Sequence, residues 1–152
     1  MPAPTQEGGW IELKYLTMGE IHSDGGIPKG IGNLITGGVF AGSGVDPSQV
    51  ISDGPVTTYG PNEMVLDNWG EIASWTAKVP VVSHRSSGIG FVNFGDIGTV
   101  NIDAPIETHG LGARGFNLYD GTLKRPASRA SPPMETGLLA CSSRSHIKFF
   151  TP

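Results

Sequence analysis

The chain has 152 residues, of which 23 are Gly and 12 are Pro, with 16% charged residues and a formal net charge of −4. Gly and Pro at this density argue against a helical bundle and for one domain of short strands joined by tight turns. A mildly acidic chain gives no electrostatic basis for a nucleic-acid or anionic-membrane partner, and no apolar run approaches the length that spans a bilayer.

The start of the chain carries no charged segment followed by an apolar one, so no signal peptide is visible and a cytoplasmic chain is the default expectation. Cys141 is the only cysteine and forms no intramolecular disulfide. Ile11 to Met18 predicts a first strand or cap, with Ile11, Leu13, Tyr15 and Leu16 covering the open end of a core. Residues 27–54 are Gly-rich, with strand-like Gly38-Val39-Phe40-Ala41 and Gln49-Val50-Ile51. They predict a less regular coil of the kind that terminates repeat proteins.

From Pro55 to Gly121 the sequence repeats every 25 residues. Pro55, Pro80 and Pro105 start equivalent segments, which align without gaps. Val56, Val81 and Ile106 share a column, as do Thr58, Ser83 and Thr108, then Tyr59, His84 and His109. Leu66, Phe91 and Phe116 follow, then Trp69, Phe94 and Tyr119, with Gly70 matching Gly95 and Ile72 matching Ile97. Val100-Asn101-Ile102-Asp103 alternates apolar with polar, as a strand with one buried face does.

A unit of this length holds a few short strands and no helix to cover a flat sheet. The expected fold is therefore all-β: a right-handed parallel β-helix, or solenoid, with 25-residue coils and few or no helices, spanning residues 1–124. In such a coil equivalent residues stack about 4.8 Å apart and their apolar columns merge into one core. Asn68 and Asn93 share a column and are placed to hydrogen-bond along the axis. A β-sandwich with accidental internal similarity is the alternative.

From Arg125 the composition changes, with four basic residues and one acid, Glu135, against six basic and 13 acidic residues before it. Residues 125–152 read either as a disordered tail or cap, or as the product of a shifted reading frame. Codons for Met134-Glu135-Thr136 read one base earlier give Tyr, His, Asn or Asp, then Gly, then Asp or Asn, close to the turn that the repeat requires. On that reading the chain is a truncated piece of a longer solenoid.

The stretches Val56-Thr57-Thr58-Tyr59-Gly60, Met64 to Gly70, Gly88 to Gly95, Ala104 to Thr108 and Gly112 to Asn117 together resemble uncharacterised bacterial β-helix proteins. These are similar in general form to pectin-lyase-like solenoids. The resemblance covers about residues 27–124, implies the fold, and brings no catalytic residues with it.

Enzymes of that class need convergent carboxylates, Ca²⁺ or a basic proton acceptor. The candidates, Asp67, Asp96, Asp103, Glu107 and Asp120 with Arg85 and Arg114, form no tight motif. Lys78 and Asp103 are expected to meet on the outer face as an ion pair. Ser86 and Ser87 beside His84 lack a nucleophile elbow and a third triad member. Gly30-Ile31-Gly32 lacks the remainder of a dinucleotide fingerprint.

Tyr59, His84 and His109 are the candidate ligand-binding residues: an outward ladder of rings with polar tips, suited to sugars. Two His without a third ligand make no zinc site, so neither metal nor cofactor is expected. Trp69, Phe94 and Tyr119 are expected in the core or at a corner. The expected function is a structural or carbohydrate-binding module with no catalysis evident, and a polysaccharide as partner. The alternatives are a polysaccharide lyase or glycoside hydrolase of the pectin-lyase-like class, and a scaffold that self-associates through an open solenoid end.

Overall fold

The computed structural model describes residues 9–28, 31 and 34–127, which form thirteen strands and no helix. The first sheet holds β1 (Ile11–Met18), β4 (Val45–Ser52), β7 (Glu71–Ala77), β10 (Asp96–Ile102) and β13 (Thr122–Ala127), in that order. The second holds β2 (Ile21–Ser23), β5 (Val56–Thr58), β8 (Val81–Ser83) and β11 (Ile106–Thr108). The third holds β3 (Thr36–Ala41), β6 (Glu63–Asn68), β9 (Ile89–Asn93) and β12 (Arg114–Leu118).

Every pairing is parallel. The chain visits the three sheets in turn, so each circuit is one coil of a three-sided parallel β-solenoid, and β13 opens a fifth circuit. The 25-residue period is the register itself: Glu71 pairs with Asp96, Val81 with Ile106 and Phe91 with Phe116.

The repeat begins earlier in the chain than its sequence columns suggest. β1 to β3 are a complete first coil, and β4 starts the second, rather than residues 27–54 forming one irregular coil. This coil is hard to align because Ile11 pairs with Val45, Ile21 with Val56 and Thr36 with Glu63, all at separations other than 25. The excess lies mainly in residues 24–35, which connect β2 to β3 where later coils use only 59–62, 84–88 and 109–113. As a strand in register, β1 turns some apolar side chains outward. Leu16, with Met18 and Ile21, packs against the core, whereas Ile11 and Tyr15 are 53% and 67% exposed and cover nothing.

The core is one column system running along the axis. Leu16, Val50, Trp75 and Val100 follow one another by register in the first sheet, and Val56, Val81 and Ile106 do so in the second. In the third sheet Leu66, Phe91 and Phe116 are in line, with Phe91 stacked on Phe116 at 5.3 Å and edge-on to Trp75 at 5.1 Å. Ile89 and Val92 belong instead to a separate cluster with Met64 and Phe94.

Polar groups inside the coil follow the same stacking. Asn68 donates to Asn93 Oδ1 at 2.7 Å, and its own Oδ1 accepts the Gly70 N–H at 3.0 Å. Asn93 in turn donates to the carbonyls of Gly95 and Thr122. The pair thus ties the corner between third and first sheets across three coils. At the opposite corner Glu63 is fully buried, and its Oε2 accepts the Gly60 N–H at 2.6 Å. A Cβ on Gly25 or Gly60 would come within 2.6 or 2.8 Å of Glu63 Oε1, so both positions require glycine, the more so Gly25 with φ of +70°.

Residues from 128 onward, and with them most of the segment where a tail or a changed frame is expected, lie outside the described residues. The Asn pair supplies a test of the stacking. Asn68→Ala leaves the Gly70 N–H and Asn93 Oδ1 unpaired in the interior and is expected to cost about 2–4 kcal/mol in denaturant unfolding. Asn101→Ala removes one half-buried 3.4 Å contact and is expected to cost less than about 1 kcal/mol. Equal costs would contradict the structural role of the Asn pair.

Candidate functional site

Tyr59, His84 and His109 are the first residues after β5, β8 and β11. Their amides continue the ladder past the strands, with Tyr59 N–H donating to Ser23, His84 to Thr58 and His109 to Ser83 carbonyls at 2.8, 3.0 and 2.8 Å. Held at rung spacing, the rings stack at centroid distances of 5.2 Å and 5.5 Å, with planes 12° and 9° apart.

A fourth ring, His22, extends the ladder, 5.8 Å from Tyr59 and 17° from its plane. Its position in register is beside Thr57, because Asp24 occupies the corner that Tyr59 occupies one coil later. Its Nδ1 lies 2.9 Å from the Tyr59 hydroxyl and its Nε2 lies 2.8 Å from Glu20 Oε1. No 25-residue column leads to His22, since Ile21 and Val56 are paired 35 positions apart.

The rings turn their faces to one another, so a ligand lying along the ladder meets their edges, which carry imidazole nitrogens and a phenol oxygen. Parallel imidazoles 5.5 Å apart also direct their lone pairs alongside one another rather than toward a common point 2.0–2.1 Å from each nitrogen, as zinc demands. Among the described residues no group of three or more His, Cys, Asp or Glu is placed to hold a metal ion.

A second ladder follows the corner between third and first sheets. Trp69 lies 4.3 Å from Phe94, and Phe94 lies 4.7 Å from Tyr119, with those two planes 4° apart. Phe40 meets Trp69 edge-on at 6.5 Å. Phe40, Trp69 and Tyr119 are 64%, 44% and 45% exposed, so of core and corner the structure places this column at the corner. The first-coil ring again comes from two residues before the corner, where Gly42 stands in register with Trp69.

The candidate acids do not converge. Asp103, Glu107 and Asp120 are exposed on separate corners and strands, while Asp67 is 8% exposed on β6. Asp96 alone joins other carboxylates, in an outward column of Glu12, Asp46, Glu71 and Asp96. This column lines a groove of about 630 Å³ together with Lys14 and Lys124. The 25-residue spacing of Asp46, Glu71 and Asp96 was legible in the sequence. Two of these carboxylates hold the next coil: Asp46 accepts the Glu71 N–H, and Asp96 accepts both the N–H and the hydroxyl of Thr122.

Lys78 closes on Asp53 at 2.6 Å rather than on Asp103, choosing the preceding coil in the same column. Both partners are about half exposed, so the pair adds little stability. Arg85 Nε donates to the Tyr59 carbonyl at 3.2 Å, beside the ring ladder. Arg114 is the first residue of β12 and is half-buried.

Comparison with protein-family models, with curated proteins and with solved structures gave no match for this chain. Among the described residues no helix is long and apolar enough to cross a membrane.

Burial raises the Asp67 carboxyl from 3.8 to about 6, partly opposed by a hydrogen bond from Trp69. A raised folded value means that the native state holds this proton over a range where the unfolded chain has released it. The stabilising effect is therefore complete below about pH 4 and lost as pH rises through about 6. Asp67→Asn should remove that slope and gain on the order of 2 kcal/mol at pH 7 relative to the parent. Denaturant unfolding of both proteins at pH 4 and pH 7 checks this, and an unchanged difference between the two pH values would contradict it.

Proposed function

We propose that this solenoid, of the pectin-lyase-like kind, is a module that binds a polysaccharide along its ring ladder. The supporting observation is the line of four exposed rings, His22, Tyr59, His84 and His109, at spacings of 5.2–5.8 Å. Their edges present imidazole nitrogens and a phenol oxygen at successive coils, donors and acceptors for the hydroxyls of a sugar chain. A net charge of −4 and the carboxylate column favour a neutral glycan over an anionic one.

A line of equivalent contacts implies that affinity grows with ligand length. Binding to a glycan array, followed by titration with neutral oligosaccharides of increasing length, tests this. Affinity is expected to rise with each added sugar until the ladder is covered. Tyr59→Ala, His84→Ala and His109→Ala should each weaken binding by roughly fivefold, the worth of one net hydrogen bond. Binding that is the same in all three variants would remove the ladder from the account.

The groove lined by Glu12, Asp46, Glu71 and Asp96 supports a second reading, a polysaccharide hydrolase or lyase. That reading requires product formation from a polysaccharide, abolished by Glu71→Gln or Asp96→Asn while glycan binding at the ladder persists.

A further inference from the structure

At the first rung of the ladder, three side chains form a hydrogen-bonded chain that glycan binding does not need. Glu20 Oε1 lies 2.8 Å from His22 Nε2, and His22 Nδ1 lies 2.9 Å from the Tyr59 hydroxyl. A carboxylate only accepts, so Nε2 carries the proton that it donates to Glu20. In the neutral form of the ring Nδ1 then keeps its lone pair, which the Tyr59 O–H is placed to donate to. This is a carboxylate orienting an imidazole that accepts a proton from a hydroxyl, the arrangement by which a weak nucleophile is activated.

Its surroundings suit a reaction. Tyr59 is held between His22 at 5.8 Å and His84 at 5.2 Å, which fixes its ring, and Arg85 Nε grips its carbonyl. The phenol and imidazole open into a pocket of about 650 Å³, lined also by Ser23, Asp24, Gly25 and Thr36.

We propose that Glu20, His22 and Tyr59 form an acid–base relay that makes the Tyr59 phenol oxygen a nucleophile toward an activated acyl group, with a thioester as the class of donor. His22 is the base and Glu20 the residue that positions it. In the step, the phenol oxygen forms a bond to the acyl carbon while its proton passes to His22 Nδ1. The C–S bond breaks, and the departing thiolate takes the proton from the imidazole, leaving an acyl ester on Tyr59 and a free thiol. Thiols ionise near 8.5 and phenols near 10, so the collapsing intermediate expels thiolate in preference to phenolate. An alkyl ester, whose alkoxide leaves less readily than phenolate, is a poor donor.

The protein contains its own controls. Its three tyrosines are Tyr15, Tyr59 and Tyr119, exposed to 67%, 42% and 45%. Exposure alone ranks Tyr15 first and Tyr59 last, whereas the relay ranks Tyr59 first. The full chain is treated with the acetyl thioester of N-acetylcysteamine at neutral pH, and acetylation at each tyrosine is followed by peptide mass spectrometry. Tyr59 is expected to react on the order of 100-fold faster than Tyr15, the lower end of general-base catalysis.

His22→Phe keeps a stacked ring and removes both nitrogens, so a merely structural His22 would leave the Tyr59 rate unchanged. The relay instead predicts that His22→Phe brings Tyr59 to the Tyr15 rate or below, and that Glu20→Gln slows it, with Tyr15 and Tyr119 unaffected. A Tyr59 rate in the parent protein no faster than that of Tyr15, or one that His22→Phe does not change, overturns the proposal.

Discussion

The structure depends on one constraint: the parallel hydrogen-bonded ladder that places each residue directly beside its counterpart one coil away. In a bundle or sandwich, a side chain meets partners of other kinds. Here it meets its own column, at the spacing of neighbouring strands. Each position is therefore selected for compatibility with itself. Apolar columns become the core, as Val56, Val81 and Ile106 show. Ring columns become stacks, and the Asn68–Asn93 pair becomes an axial hydrogen bond.

Columns of like charge are the cost of the same rule. Asp46, Glu71 and Asp96 lie in line on the first sheet, where mutual repulsion opposes stacking. Facing solvent limits that repulsion by screening, and the amides of the following coil offset part of it by hydrogen-bonding to Asp46 and Asp96. Lys78 on Asp53 shows the opposite case, a column in which neighbouring coils differ in sign. The ring ladder combines both patterns, because stacking brings Tyr59 and His22 close enough for a hydrogen bond along the axis.

The regular coils were legible in the sequence because strict 25-residue spacing survives there, and the pairings of Val81 with Ile106 and Phe91 with Phe116 are those the columns define. The strands at Ile11 to Met18 and Gly38 to Ala41 were legible, but their union in a first coil was not, since the long connection of residues 24–35 displaces its two sides by different amounts. That displacement hid His22 and Phe40, each of which joins a ladder from two residues before the corner. Columns also do not tell inside from outside. Inward positions in the first sheet are Ile72, Trp75 and Ala77, which break simple alternation, so Trp75 rather than Trp69 is the buried indole. Nor does a column show which neighbour a charge prefers, as Lys78 demonstrates.

The most direct test of the stacked-coil account is removal of one coil. Deleting residues 71–95 joins Gly70 to Asp96 and takes out one 25-residue unit, leaving every column in register. Deleting residues 75–98 removes one residue fewer and joins Ser74 to Thr99 inside a strand, where no corner can absorb the change, so Thr99 takes the inward place of Trp75 and Val100 turns outward. Far-ultraviolet circular dichroism with denaturant titration should show a cooperative β-sheet transition for the first deletion and none for the second. A 75–98 deletion that unfolds as cooperatively as the 71–95 deletion would contradict the account.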